Sequence, residues 1–277
     1  MKHLALASLV ACMLVAGLKA QDPTPPSVDP LHRAFDTVLD IYVRDGLVYY
    51  HALKQERPRF DRYVASLAGA TLSESADRNQ KLAFRLNAYN AFVLQTVIDN
   101  YPIQRRSTTF PSGSIRQIPG AFERRTFRAA GRTVTLDQIE KDIIVPLGDA
   151  RAVLALGRGA LGGGRLKSEA FSAERIEAQL NAATQEVVDR REMVFVDRQN
   201  GVLSVNPMFS WREAAFIESF ADKAAPVFAS RSPLERSVLA IIAPLVVRSE
   251  AEFLEQNSFK MEFHEFDWRL NDLTNRR

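Results

Sequence analysis

The sequence predicts an α+β fold: a single domain, mostly helical, with a small mixed or antiparallel sheet. Three observations carry this. Apolar residues recur at helical spacing over long stretches, best from Asn79 to Asn100, with Pro102 closing the run. Two short alternating segments meet at turn residues, around Gly131 and at Asn200-Gly201. Helical and extended pieces alternate irregularly, without a repeat or a second boundary.

The elements follow in order. Residues 1–20 carry Lys2, an apolar stretch from Leu4 to Leu18 and a small residue at Ala20, the pattern of a cleaved signal peptide. This predicts a periplasmic or secreted protein. The alternative is lipid anchoring at Cys12, against which Cys12 sits early and the apolar run continues past it. Residues 21–32 are a proline-rich linker, and 33–277 the globular domain. Phe35, Val38, Leu39 and Tyr42 mark a helix from Arg33 to Val43. An extended piece at Gly46 to Tyr50 and a helix near Phe60 to Leu67 come next. Residues 101–120 are a loop. Phe127 to Leu136 reads as a strand pair, and Thr135 to Val145 as a helix opened by a Thr135/Gln138 capping box. Val153 to Leu156 looks strand-like. Ser172 can cap a helix reaching Asp189. Strands at Met193–Val196 and Val202–Val205, a helix from Phe209 to Phe220, a buried helix from Ser232 and an extended aromatic ending at 263–268 complete the chain.

The chain has 36 Lys+Arg against 33 Asp+Glu, and only eight of the basic residues are Lys. The formal charge of +3 falls to about +1 when Lys2 and Lys19 leave with the leader, so a nucleic-acid partner is not expected. Nor is a transmembrane span expected after leader removal. Cys12 is the only cysteine, so the trimmed chain has no thiol for catalysis, metal binding or disulfides. No H-E-x-x-H or similar spacing occurs, and neither a metal nor a cofactor is expected.

Gly157, Gly159 and Gly162 spell G-x-G-x-x-G. A dinucleotide site requires that turn to open directly into a helix whose amides face the pyrophosphate. Here residues 165–171 intervene before any cap, which argues against it.

Several stretches taken in order resemble one family. They are GLVYY (46–50), AFRLNAYNA (83–91), Ser114-Ile115, TLDQIE (135–140), the glycine loop with LKSEAF (166–171), and FDWRLN (266–271). Together they are similar to the domain of unknown function 547 family over roughly residues 33–271. The resemblance implies that relatives carry H-F-A-L-N-C-G-A-x-S-C-P-x-L at the glycine loop. Laid on this chain, that His falls at Val153, the first Cys at Arg158, Ser at Gly162, the second Cys at Gly163 and Pro at Gly164. Lys141 stands where His is usual, and Tyr49 where Asp is usual. The reactive side chains have been replaced, so the loop reads as one relieved of its chemistry.

The candidate catalytic residues left are Glu140, Asp267 and His51, since a pair of carboxylates or an imidazole can move protons without a thiol. Candidate binding residues are Asn87, Tyr89, Asn90, Arg158, Trp268 and Asn271. Asn87 and Asn90 share the apolar side of the long helix. They either line a polar pocket or tie neighbouring backbone, as buried amides commonly do. Seven arginines from Arg105 to Arg132, with Glu123 the one acid among them, suit an anionic envelope ligand or a protein, or form a solvated face. Two functions stay open: a non-thiol, catalytically inactive binding protein, or a hydrolase or transferase using carboxylate, His or Asn groups.

Overall fold

Apolar spacing buries Phe35, Val38, Leu39 and Tyr42 along one side of α1 (Arg33–Tyr42). The computed structural model describes residues 29–73 and 75–274; the leader, Cys12 and most of the linker lie outside them. His32, at the linker's end, packs inside the domain against Tyr63 and Phe84. A two-residue hairpin follows, β1 (Val43–Arg44) and β2 (Leu47–Val48), then α2 (Tyr50–Gln55) and α3 (Pro58–Gly69).

The axis of the molecule is α4 (Arg78–Asn100). Its start is set by a reciprocal capping box: Gln80 N donates to Asp77 Oδ1 at 2.8 Å, and Asp77 N to Gln80 Oε1 at 2.9 Å. From Leu82 to Ile98 nearly every side chain is buried, so this helix is enclosed all round instead of lying on a surface.

The hairpin expected around Gly131 is present as β3 (Thr126–Ala129) and β4 (Arg132–Thr135), antiparallel. The Thr135/Gln138 box opens α5 (Leu136–Gln138). The chain then widens into one π-helical turn, Ile139–Ile144. The strand-like run at 153–156 forms no strand: Val153 and Leu154 close α6 (Arg151–Leu154), which buries Ala152, Val153 and Leu154, and the chain then turns at Ala155. A short apolar run does not by itself separate a buried strand from a buried helical turn. Helix α7 (Ile176–Asp189) begins later than Ser172, whose side chain makes no cap.

Asn200-Gly201 turns β5 (Val194–Asp197) into β6 (Val202–Val205). The helix expected from Phe209 to Phe220 is broken into α8 (Met208–Trp211) and α9 (Glu213–Phe220) at Arg212, where φ is −126° and ψ is 39°. The Ser232/Glu235 box opens α10 (Pro233–Ile242), and α11 (Arg248–Glu255) follows. Strand β7 (Lys260–Phe263) pairs parallel to β6, so the three-stranded sheet is mixed, in order β5-β6-β7. Strand β7 ends at Phe263, although His264 N still donates to Val205 O at 3.1 Å.

Two apolar clusters make up the core. One surrounds α4; the other joins the three-stranded sheet to α8–α11. Helix α7 feeds both, Ile176, Leu180 and Ala183 on one side and Val187 and Val188 on the other.

Candidate functional site

The N-A-Y-N segment of α4 acts as a peg for two loops. Asn87 accepts from Phe171 N and donates to Phe171 O, both at 2.9 Å. Asn90 Oδ1 accepts from Gly157 N at 2.9 Å. Both amides are buried and satisfied by backbone, the tying role. Tyr89 lies between them, fully buried, its hydroxyl without a partner among the described residues. Burial pushes that hydroxyl well above its ordinary pKa.

The glycine loop starts from a helix end and is shaped by close approach. Gly162 N donates to Asp267 O at 2.9 Å, and a Cβ on Gly162 would stand 2.7 Å from Asp267 N. A Cβ on Gly164 would overlap the Leu154 carbonyl oxygen. At these two positions the backbone leaves no room for a side chain. Arg190 fastens the same loop from outside, with Nη1 donating to Gly163 O at 3.1 Å.

Arg158 lies at the centre, 2% exposed. Its Nη2 donates to Glu140 Oε1 at 2.9 Å, and its Nη1 to Val153 O at 3.1 Å, with Met208 Sδ 3.0 Å away. The π-helical turn places Glu140 against this guanidinium, as π-turns often do at special sites. The break at Arg212 brings a second guanidinium to the same carboxylate. Arg212 Nε is 3.0 Å from Glu140 Oε1, though its N–H does not point along that line. One buried carboxylate thus serves two arginines. Burial opposes the Arg158 charge, but Glu140 outweighs it and raises the Arg158 pKa.

The closing motif divides its labour. Asn271 Oδ1 accepts from Tyr50 Oη at 2.7 Å, and its Nδ2 donates to Gly46 O at 2.8 Å, stitching the chain end to β2. Asp267 is held by Arg269, with Nε 3.0 Å from Oδ1; burial raises the Asp267 pKa, but these bonds prevail and lower it. Trp268 packs half-buried among Phe266, Phe122 and Arg116. His51 is exposed on α2. The four groups that a carboxylate mechanism would bring together each keep separate partners: Asn87 with Phe171, Asn90 with Gly157, Glu140 with the arginines, Asp267 with Arg269.

Beside the Arg158 centre lies an open groove of about 1000 Å³, lined by Trp211, Phe266, Trp268 and the loop from Arg105 to Ser112. The Trp211 ring is 5.8 Å from the Arg158 guanidinium, so one indole touches both centre and groove. Sequence reasoning missed Trp211 and Arg212. The one available signal was that Trp211 is one of only two tryptophans. Among the described residues no three His, Cys, Asp or Glu side chains gather to hold a metal, and no helix is long and apolar enough to cross a membrane.

Residues 73–188 match the sequence model of a family described as "Protein of unknown function, DUF547". This segment of the chain is similar to that family. The matched segment runs from the approach to α4 through most of α7, and holds Asn87, Tyr89, Asn90, Glu140 and Arg158. His51, Trp211, Arg212 and the closing motif fall outside it. Neither a curated protein nor a solved structure matched the chain.

Proposed function

We propose that this protein works by binding, as an exported periplasmic or secreted protein whose thiol centre has given way to an ion-paired floor. The observation that carries this reading is the burial of Arg158 on Glu140, where the resemblance puts a cysteine in relatives. A carboxylate engaged by two guanidinium groups is a poor general base, because accepting a proton would strand the buried positive charge. Arg116 and Arg125 are paired with Glu123 and Asp99. Capacity for an anionic partner therefore rests with the exposed Arg105, Arg106, Arg124, Arg128 and Arg132.

The test is turnover by the purified protein on ester, amide and thioester substrates, beside Glu140→Gln and Asp267→Asn variants shown to be folded. The expected result is the same background for all three proteins. Turnover that either variant abolishes would overturn the reading in favour of a hydrolase or transferase.

A further inference from the structure

We propose that Arg85 of α4 and Arg132 of β4 hold a phosphate group between them, where the β3–β4 hairpin lies on α4. The proposal gives the anionic partner above a chemistry and a place, and so rests on that reading.

The site begins with a charge that has no counterpart. Arg85 is 8% exposed, yet its side chain makes no hydrogen bond and no ion pair among the described residues, and Nη1 is sealed from solvent. The other two buried arginines are satisfied. Arg158 has Glu140 and Val153 O, and Arg190 has Glu192 and the Gly163 and Leu161 carbonyls. The Phe84 ring lies 5.1 Å from the Arg85 guanidinium carbon, but an aromatic face supplies no lone pair to its N–H donors. A guanidinium buried without an acceptor costs free energy that an anion relieves.

Strand register brings the second cation. Phe127 pairs with Val134 and Ala129 with Arg132, and cross-strand partners share a face, so Arg132 leaves the hairpin on the side of Phe127. That side meets α4, since Phe127 stacks on Phe92 with centroids 4.5 Å apart. From this stack Arg132 lies toward the hairpin turn, and Arg85 about two turns back along the helix. The turn is pinned where Ala130 N donates to Leu67 O at 2.9 Å. Burial and the Arg132 charge both lower the Arg85 pKa, and no carboxylate counters them. Lys81, one turn before Arg85 on the same side, is half-buried and also makes no ion pair among the described residues.

The surrounding elements supply no internal anion. Helix α4 carries no acid before Asp99, which Arg57 and Arg125 share. The hairpin from Thr126 to Thr135 carries none, and α3 none after Asp61, which pairs with Arg57. Asp77 lies ahead of Lys81, with its Oδ1 engaged in capping α4. Converging cations without an acid suit a multiply charged oxyanion, whose oxygens accept parallel N–H bonds from a guanidinium. A single carboxylate would leave one cation uncompensated. Arg132 is exposed, and a Cβ on Gly131 would meet nothing, so the place is open to solvent.

The experiment melts the full protein in chloride buffer while inorganic phosphate or acetate is added at constant ionic strength. Phosphate should raise the midpoint saturably, with apparent affinity at least about tenfold tighter than acetate. Arg132→Gln should weaken phosphate at least about tenfold. Arg85→Met, which removes the unpaired charge and keeps the bulk, should melt no lower than the parent in chloride and ignore phosphate. Sedimentation with phosphatidylcholine vesicles, with and without phosphatidic acid, identifies the source. Arg85-dependent capture by phosphatidic acid with no response to free phosphate would place the bound phosphate on a lipid headgroup. Equal stabilisation of the parent and Arg85→Met would be the general salt effect of phosphate and would overturn the proposal. So would an equal response to acetate, an affinity unmoved by Arg132→Gln, silence toward both phosphate and vesicles, or a clear fall in the chloride melt of Arg85→Met. Phosphate binding found beside turnover would sink the binding-only reading and leave this site standing; absence of both would sink the site alone.

Discussion

His32 shows how one buried group sets an acid limit. Its Nδ1 is 2.8 Å from Tyr63 Oη, and burial lowers its pKa from 6.5 to about 4. The unfolded chain takes up a proton that the folded chain refuses, so stability is complete above pH 6.5 and falls as the pH drops from 6.5 to about 4. The loss across that window should be about 3 kcal/mol, and His32→Gln should flatten it in urea melts at several pH values. An unchanged slope in that variant would assign the acid sensitivity to other groups. Glu140 makes the complementary case. Glu140→Gln leaves Arg158 buried without a countercharge and should cost about 3–5 kcal/mol, whereas Arg158→Met, which removes the buried charge, should cost clearly less. Equal losses in denaturant melts would mean that packing, not charge, holds the centre.

At the scale of elements, caps and turns agree with their sequences while short apolar runs do not. The boxes at Thr135/Gln138 and Ser232/Glu235 form as their spacing requires, because both partners lie within one turn. Val153 and Leu154 become helical because α6 fits between α7 and the sheet side of the core. The glycine loop is an element of close approach, which gives a graded expectation. Gly164→Ala, aimed at the Leu154 carbonyl, should cost about 3 kcal/mol or more. Gly157→Ala, whose nearest neighbours stand at 3.4 Å, should cost about 1 kcal/mol or less. Comparable thermal shifts for the two would show that the loop relaxes freely.

Across the whole molecule, two cores share α7, and the glycine loop is laced to α4 by Asn90, to the closing motif by Gly162 and to Arg190 from outside. Neither core can open without stripping these shared contacts. Tryptophan fluorescence, which reports the groove, and far-ultraviolet circular dichroism, which reports α4, should therefore trace one coincident urea transition. Two separated midpoints would show that the clusters unfold independently.

The amino-acid order by itself determined α1, α3 and α4, the two hairpins, the helix openings at Thr135/Gln138 and Ser232/Glu235, and the family resemblance. Each rests on residues a few positions apart, or on a pattern that recurs along the chain. It also marked Asn87, Asn90, Glu140 and Arg158 as special without saying to what they bind. Only the tertiary structure decided that Arg158 and Glu140 neutralise each other, that Arg212 joins them through a helix break, and that Trp211 meets Trp268 over a groove. Those pairings link residues tens of positions apart, where local spacing carries no information about distance. The crowding at Gly162 and Gly164 is of the same kind, since it depends on a backbone segment arriving from elsewhere in the fold.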